Sequence, residues 1–266
     1  MINGPFAPRR WVLLLFSGTG AVVFALLAWF VVSVIDVPER REEPVEPLRP
    51  AVAPPDPGVR PPAVAVPGTG LQGDRRPQAQ LTAWAGRLTE RLDVPRAALE
   101  AYGYAEVAVR DESPRCRITW TVLAGIGRVE SNHGRFGGAS LGEDGRPSRP
   151  IYGIPLDGGP GVREIRDTDG GVLDGDTVYD RAVGPMQFIP STWAQWAADG
   201  DGDGKADPQD LDDAALAAAR YLCAGNRDLG TAEGYWRAVL AYNASRRYGQ
   251  DVLDRADHYG RLSRGS

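Results

Sequence analysis

Beyond residue 78, apolar positions recur with a helical period, and the alternation that marks half-buried strands is scarce. Ile118, Val122, Ile126 and Val129 define one apolar stripe, predicting a largely buried helix over 118–131 that ends at Glu130 and Ser131. Similar spacing predicts helices over 191–198, 211–222 and 231–242, and Tyr248, Val252, Leu253 and Tyr259 suggest a last amphipathic one. Between them, residues 134–183 are rich in glycine and proline and only weakly periodic, as long functional loops are. The expected fold is mainly α, a single domain over 78–266.

The N-terminal part has a different pattern. Residues 11–35 carry no charge, and about 25 residues rising about 1.5 Å each give roughly 37 Å, enough to cross a hydrocarbon core of about 30 Å. Trp11 and Trp29 suit the interfaces, and Arg9 and Arg10 favour a cytoplasmic N-terminus over residues 1–10. The run is too long for a usual signal-peptide core and lacks a nearby small-residue cleavage site. A transmembrane anchor at 11–35, with the remaining chain outside the cytoplasm, is therefore expected. Residues 36–77 are proline-rich with few large apolar side chains, the composition of an extended, disordered tether reaching on the order of 100 Å.

Charge and rare residues narrow the chemistry. The formal net charge is −5 with no basic stripe, so nucleic-acid binding has no electrostatic support. Two cysteines, Cys116 and Cys223, in a domain expected outside the cytoplasm invite one disulfide, with two buried thiols as the alternative. Only two histidines are present, His133 and His258, so a histidine-based triad or zinc site has little to draw on. No organic cofactor is implied.

The strongest metal signal is the stretch 199–210. Asp199, Asp201, Asp203, Asp207 and Asp210 place oxygens in the EF-hand register, Lys205 would give a backbone carbonyl, and Gly204 stands at the sharp turn. A structural Ca²⁺ is expected, a solvated acidic turn being the alternative. The last ligand position holds Asp210 where the motif usually has glutamate, which leaves affinity and Ca²⁺/Mg²⁺ discrimination open. A second acidic stretch, Asp167–Asp176, fits no complete ligand register.

Glu130 lies at the margin of its helix's buried stripe. A carboxyl group there loses hydration, its pKa rises, and it can serve as a general acid near neutral pH. Alone it would read as a surface glutamate beside Ser131. Its company changes that: Gly127-Arg-Val-Glu-Ser131, Gly184-Pro-Met-Gln-Phe188 and Ala241-Tyr-Asn243 resemble, in order and spacing, the motifs of lytic murein transglycosylases. With the acidic loop and the string Ala218-Ala-Arg-Tyr-Leu-Cys223, the chain is similar to their membrane-bound B-type family over roughly 78–262. The loop over 167–180 is longer than that family leads one to expect.

The resemblance implies a lysozyme-like helical domain that cleaves the β-1,4 bond between N-acetylmuramic acid and N-acetylglucosamine in peptidoglycan strands. Glu130 would be the single catalytic acid/base, and the product would carry a 1,6-anhydromuramyl end. Gln187 and Asn243 match polar cleft residues, Ser131 would support Glu130, and Tyr242 and Phe188 could pack on sugar faces. Blander roles stay open: a helix cap for Gln187, core packing for Tyr242, a left-handed helix end for Asn243, and an ordinary exposed hydroxyl for Ser131. Two other functions compete, a hydrolytic muramidase and a non-catalytic, calcium-braced wall-binding protein.

Overall fold

A computed structural model describes residues 53–64 and 76–265. The expected anchor at 11–35 lies outside them, as does most of the expected tether. No helix among the described residues is long and apolar enough to cross a membrane.

The architecture is mainly helical. A short 3-10 turn, Pro77–Leu81, leads into α1 (Thr82–Leu92), α2 (Arg96–Glu112) and α3 (Trp120–Ser131). A small antiparallel hairpin follows, β1 (Tyr152–Pro155) with β2 (Arg181–Val183), pairing Tyr152 with Val183 and Pro155 with Arg181. The remaining helices are α4 (Pro190–Trp196), α5 (Leu211–Cys223), α6 (Ala232–Tyr242) and α7 (Arg246–Ser263). The hairpin and the first two helices were not legible as such in the sequence. In α1, Trp84, Ala85, Leu88 and Leu92 form a buried stripe at helical spacing.

The core is built around α2, buried without interruption from Ala97 to Val109. It packs against α5, whose interior face carries Ala214, Ala215, Ala217, Ala218 and Ala219, side chains small enough to let two helices approach closely. The expected disulfide is present, Cys116–Cys223 with Cα atoms 5.4 Å apart, tying the entry of α3 to the end of α5. In the chain-entropy view, a loop of this length contributes about 4–5 kcal/mol, less where the bridge strains the fold.

Two contacts place the end of α3. The helix packs chiefly on α7, and Gly125 allows it: a Cβ there would stand 2.8 Å from the Val252 carbonyl oxygen. Below, His133 is fully buried between two hydroxyls, Tyr102 at 3.2 Å from Nδ1 and Tyr259 at 3.0 Å from Nε2. Burial holds its imidazole well below its usual pKa, so the ring is neutral and acts as a packing element.

Residues 53–64 correct part of the tether expectation. They lie on the helical domain: the Trp120 indole donates to the Val59 carbonyl at 3.1 Å, and Val59 N–H donates to Ser263 Oγ at 2.9 Å. Thr121 Oγ1 donates to the Asp56 carbonyl at 3.1 Å, and Arg264 pairs with Asp56 at 2.6 Å. Prolines enter this arrangement with φ already fixed, so ordering the segment loses little entropy and a few hydrogen bonds suffice. The domain also begins earlier than residue 78, since Arg76 pairs with Asp212 at 2.5 Å and Glu100 at 3.1 Å.

Candidate active site

Glu130 stands in the last turn of α3, immediately before a reversal in which Asn132 and His133 both take positive φ, 54° and 60°. The residue as a whole is half-buried, but its carboxyl group is closely surrounded by protein, and burial pushes its pKa up to about 7. The partial negative charge of the helix end acts in the same direction. Tyr248 opposes it: its hydroxyl, on α7, donates to Glu130 Oε1 at 2.6 Å and favours the ionised form. Burial and the nearby carboxyl raise the tyrosine's own pKa well above its ordinary value, so it remains a neutral donor. With Oε1 taken, Oε2 is the oxygen left to carry a proton. At neutral pH both protonation states are populated, as a group that must give and then recover a proton requires.

The carboxyl faces a cavity of about 470 Å³ lined also by Gln187, Phe188, Tyr242 and Asn243. Four of the five residues expected around Glu130 are thus brought together. The turn over 184–188 is sterically exacting. At Gly184, φ is +76° and a Cβ would stand 1.7 Å from the Pro208 carbonyl oxygen, so only glycine fits and the turn is locked to the acidic loop. Gln187 holds φ +50°, uncommon outside glycine, and its Nε2 donates to the Gly184 carbonyl at 2.9 Å. That bond fixes the amide plane; Gln187 does not cap α4, whose N-cap Ile189 has no side-chain cap bond.

Phe188 and Tyr242 serve packing and cleft at once. Their rings meet edge-on at 5.9 Å, Phe188 also meets Trp193 edge-on at 5.3 Å, and Tyr242 Oη donates to the Met186 carbonyl at 2.7 Å. Asn243 follows α6 with extended backbone, φ −144°, so the left-handed helix end does not apply, and its Oδ1 accepts from Ser245 N–H at 3.0 Å. Ser131 is not an exposed hydroxyl. It is buried, donates to the Pro185 carbonyl at 2.6 Å and accepts from Gly134 N–H at 2.8 Å. Placed just behind Glu130, it ties α3 to the 184–188 turn and is not among the residues lining the cavity.

The acidic loop departs from its expected ligand set. Asp199 and Asp201 come together with Asp213, their carboxylate oxygens all within 4.8 Å of one another. Asp210 instead caps α5, accepting from Asp212 N–H at 2.8 Å. Its Oδ2 is buried without a hydrogen bond, and Arg146 lies 3.2 Å away as a charge contact only. Asp207 is engaged by Arg146 at 2.6 Å, and Asp203 is exposed. Burial raises the pKa of Asp210 to about 8 and that of Asp213 to about 7. Crowded carboxylates and an orphaned oxygen suit a hard divalent cation, which would supply the missing positive charge. The second acidic stretch gathers Asp167, Asp169 and Asp180, which accept from loop backbone N–H groups and from Thr168.

A larger cavity of about 550 Å³ lies under the proline segment and shares no residue with the cleft. Its buried Glu106 is already satisfied by Arg110 at 3.1 Å and Trp120 N–H at 2.8 Å, which leaves no reactive group there comparable to Glu130.

Residues 175–233 match the family described as transglycosylase SLT domain. The match takes in the 184–188 turn, the acidic loop and α5; it stops short of Glu130 on one side and Asn243 on the other. Among solved structures, the Escherichia coli lytic transglycosylase SLT35 in complex with bulgecin A is 14% identical, with a TM-score of 0.40 over 74% of this chain and 81% of that one. SLT35 in complex with calcium gives 14% and 0.40 over 73% and 81%. SltB3 from Pseudomonas aeruginosa, in complex with NAG-anhNAM-pentapeptide, is 18% identical, with a TM-score of 0.37 over 66% of each chain. No curated protein sequence matches the chain significantly.

Proposed function

We propose that this chain is a peptidoglycan lytic transglycosylase with a lysozyme-like helical domain, of the membrane-bound B-type, and that Glu130 is its only acid/base. The observation that carries the reading is electrostatic: among the described residues lining the cleft, Glu130 is the one carboxyl group, and its pKa is pushed up to about 7. Glycosidases that hydrolyse through two carboxyl groups need a second one within about 5–10 Å across the sugar. A cleft with a single carboxyl suits a reaction in which the substrate supplies its own nucleophile. The SLT match over 175–233 supports the same class.

In the proposed cycle, protonated Glu130 gives its proton to the glycosidic oxygen. The bond from muramyl C1 to that oxygen breaks, and N-acetylglucosamine leaves with a free 4-hydroxyl. The carboxylate then takes the proton of the muramyl C6 hydroxyl as O6 closes on C1. A 1,6-anhydro ring forms, the acid is restored, and no water is consumed. Tyr248 keeps Oε1 occupied, so proton traffic runs through Oε2. Gln187 and Asn243 offer hydrogen bonds to sugar hydroxyl and acetamido groups, and Tyr242 and Phe188 an aromatic wall.

A Ca²⁺ in the acidic loop would be held by Asp199, Asp201 and Asp213, with Asp203, Asp207, Asp210 and the Lys205 carbonyl as further oxygen donors. Its contribution is to neutralise crowded carboxylates and stiffen the loop that Gly184 packs against. A membrane anchor over 11–35 would put the domain on the outer side of a membrane, where its disulfide is stable.

Digestion of purified sacculi tests the catalytic assignment. Glu130→Gln keeps the shape and removes the proton, so fragment release should fall by at least about a hundredfold, the usual scale of general acid catalysis. Undiminished release would dismiss Glu130 as the acid.

A further inference from the structure

The cleft also carries one cation. Arg163 lines the same cavity as Glu130 and Gln187 and is, among the described residues lining it, the only lysine or arginine. Its guanidinium makes no hydrogen bond or ion pair with any other described residue. Acidic neighbours are at hand but engaged elsewhere: Glu164 pairs with Arg166 at 2.9 Å, and Asp157 accepts from Gly159 N–H at 3.0 Å. The backbone beneath is fixed. Ile165 N–H donates to the Leu156 carbonyl at 2.8 Å, Leu156 N–H to that of Asp180 at 3.0 Å, and Val162 N–H to that of Gly159 at 2.8 Å. A pinned turn therefore presents an uncompensated guanidinium at the cleft wall. It does not act on the catalytic proton, because the pKa of Glu130 is set by burial and by Tyr248.

A guanidinium fork recognises carboxylates through paired, charge-assisted hydrogen bonds. N-acetylglucosamine is neutral. Muramic acid bears a lactyl ether ending in a carboxyl group, free on a bare strand and amide-linked where a stem peptide is attached; the peptide then brings carboxylates of its own. We infer that Arg163 binds a carboxylate on the muramyl substituent and so makes the cleft select muramyl strands over neutral N-acetylglucosamine polymers. The inference rests on the glycan-cleaving reading above and adds to it a determinant of substrate choice.

The test is calorimetric binding in a Glu130→Gln background, where no probe is consumed. Three probes are compared: an N-acetylglucosamine tetrasaccharide, a muramyl tetrasaccharide with bare lactyl groups, and the same glycan with stem peptides. Adding Arg163→Gln should weaken one or both charged probes by roughly tenfold, less at high salt, and leave the neutral one unchanged. A loss confined to the bare glycan assigns the lactyl carboxylate; a loss confined to the peptide-bearing glycan assigns the stem peptide. Equal loss on the neutral probe, or none on either charged probe, overturns the role of Arg163 while leaving the glycan reading intact. If the Arg163-containing protein binds none of the three, the glycan reading itself fails and takes this inference with it.

Discussion

Tyr248 and Glu130 lie 118 residues apart in sequence and meet through a hydrogen bond of 2.6 Å. The phenol donates, so it steadies the carboxylate and keeps the pKa near 7, where burial alone would carry it higher. The pair sets both the rotamer of the acid and the pH at which it changes state.

Tyr248→Phe should therefore move the rate-limiting ionisation of Glu130 upward. The descending limb of the pH–rate profile, where the acid loses its proton, shifts to higher pH, while the recovery step, which needs the carboxylate, slows at neutral pH. Stability falls by only about 1 kcal/mol, the net worth of one hydrogen bond. A profile that keeps its position while activity drops would reduce Tyr248 to packing.

Glu130 also has a predictable effect on stability. Its folded-state pKa lies above the ordinary value of 4.5, so the folded protein holds this proton more tightly than the unfolded chain. The associated stability is complete below about pH 4.5 and is lost as pH rises toward about 7. Glu130→Gln, which never ionises, should be more stable than the parent at pH 8 by up to about 3 kcal/mol, with most of the difference gone as pH falls from about 7 toward about 4.5. Denaturant unfolding at pH 5 and pH 8 measures it, and equal differences at both would refute the raised pKa.

The acidic loop makes a prediction about a residue outside the EF-hand register. Chelation should lower the melting temperature and added Ca²⁺ restore it. Asp213→Asn should blunt that recovery as strongly as Asp199→Asn, because both contribute oxygens to one cluster. If Asp213→Asn retains the full Ca²⁺ response, the donor set read from the fold is wrong at that position.

Much of the site was legible because its signals are local. A helical stripe placed Glu130, and the 184–188 and 241–243 strings placed four partners that line one cavity. Helix ends were read to within one residue for α5 and α6, where Thr231 caps α6 through Gly234 N–H. What escaped depends on distant packing. Tyr248 lay in a recognisable amphipathic helix, but its role exists only because α7 crosses α3 closely at Gly125. Asp213 is a first-turn acid of α5, and only the fold brings it against Asp199. Ser131 was open to reading as an exposed hydroxyl, whereas helix rotation turns neighbouring side chains about 100° apart and aims this one inward. The hairpin was hidden because β1 and β2 span four and three residues and are separated by a long loop.

The central claim is that one carboxyl group both donates and recovers the proton while the substrate's own C6 hydroxyl closes the ring. Mass spectrometry of the fragments released from purified peptidoglycan tests it most directly. The expected products are muramyl ends lighter by one water than reducing ends, abolished in Glu130→Gln. Reducing ends in their place would show that water is the nucleophile and would contradict the account.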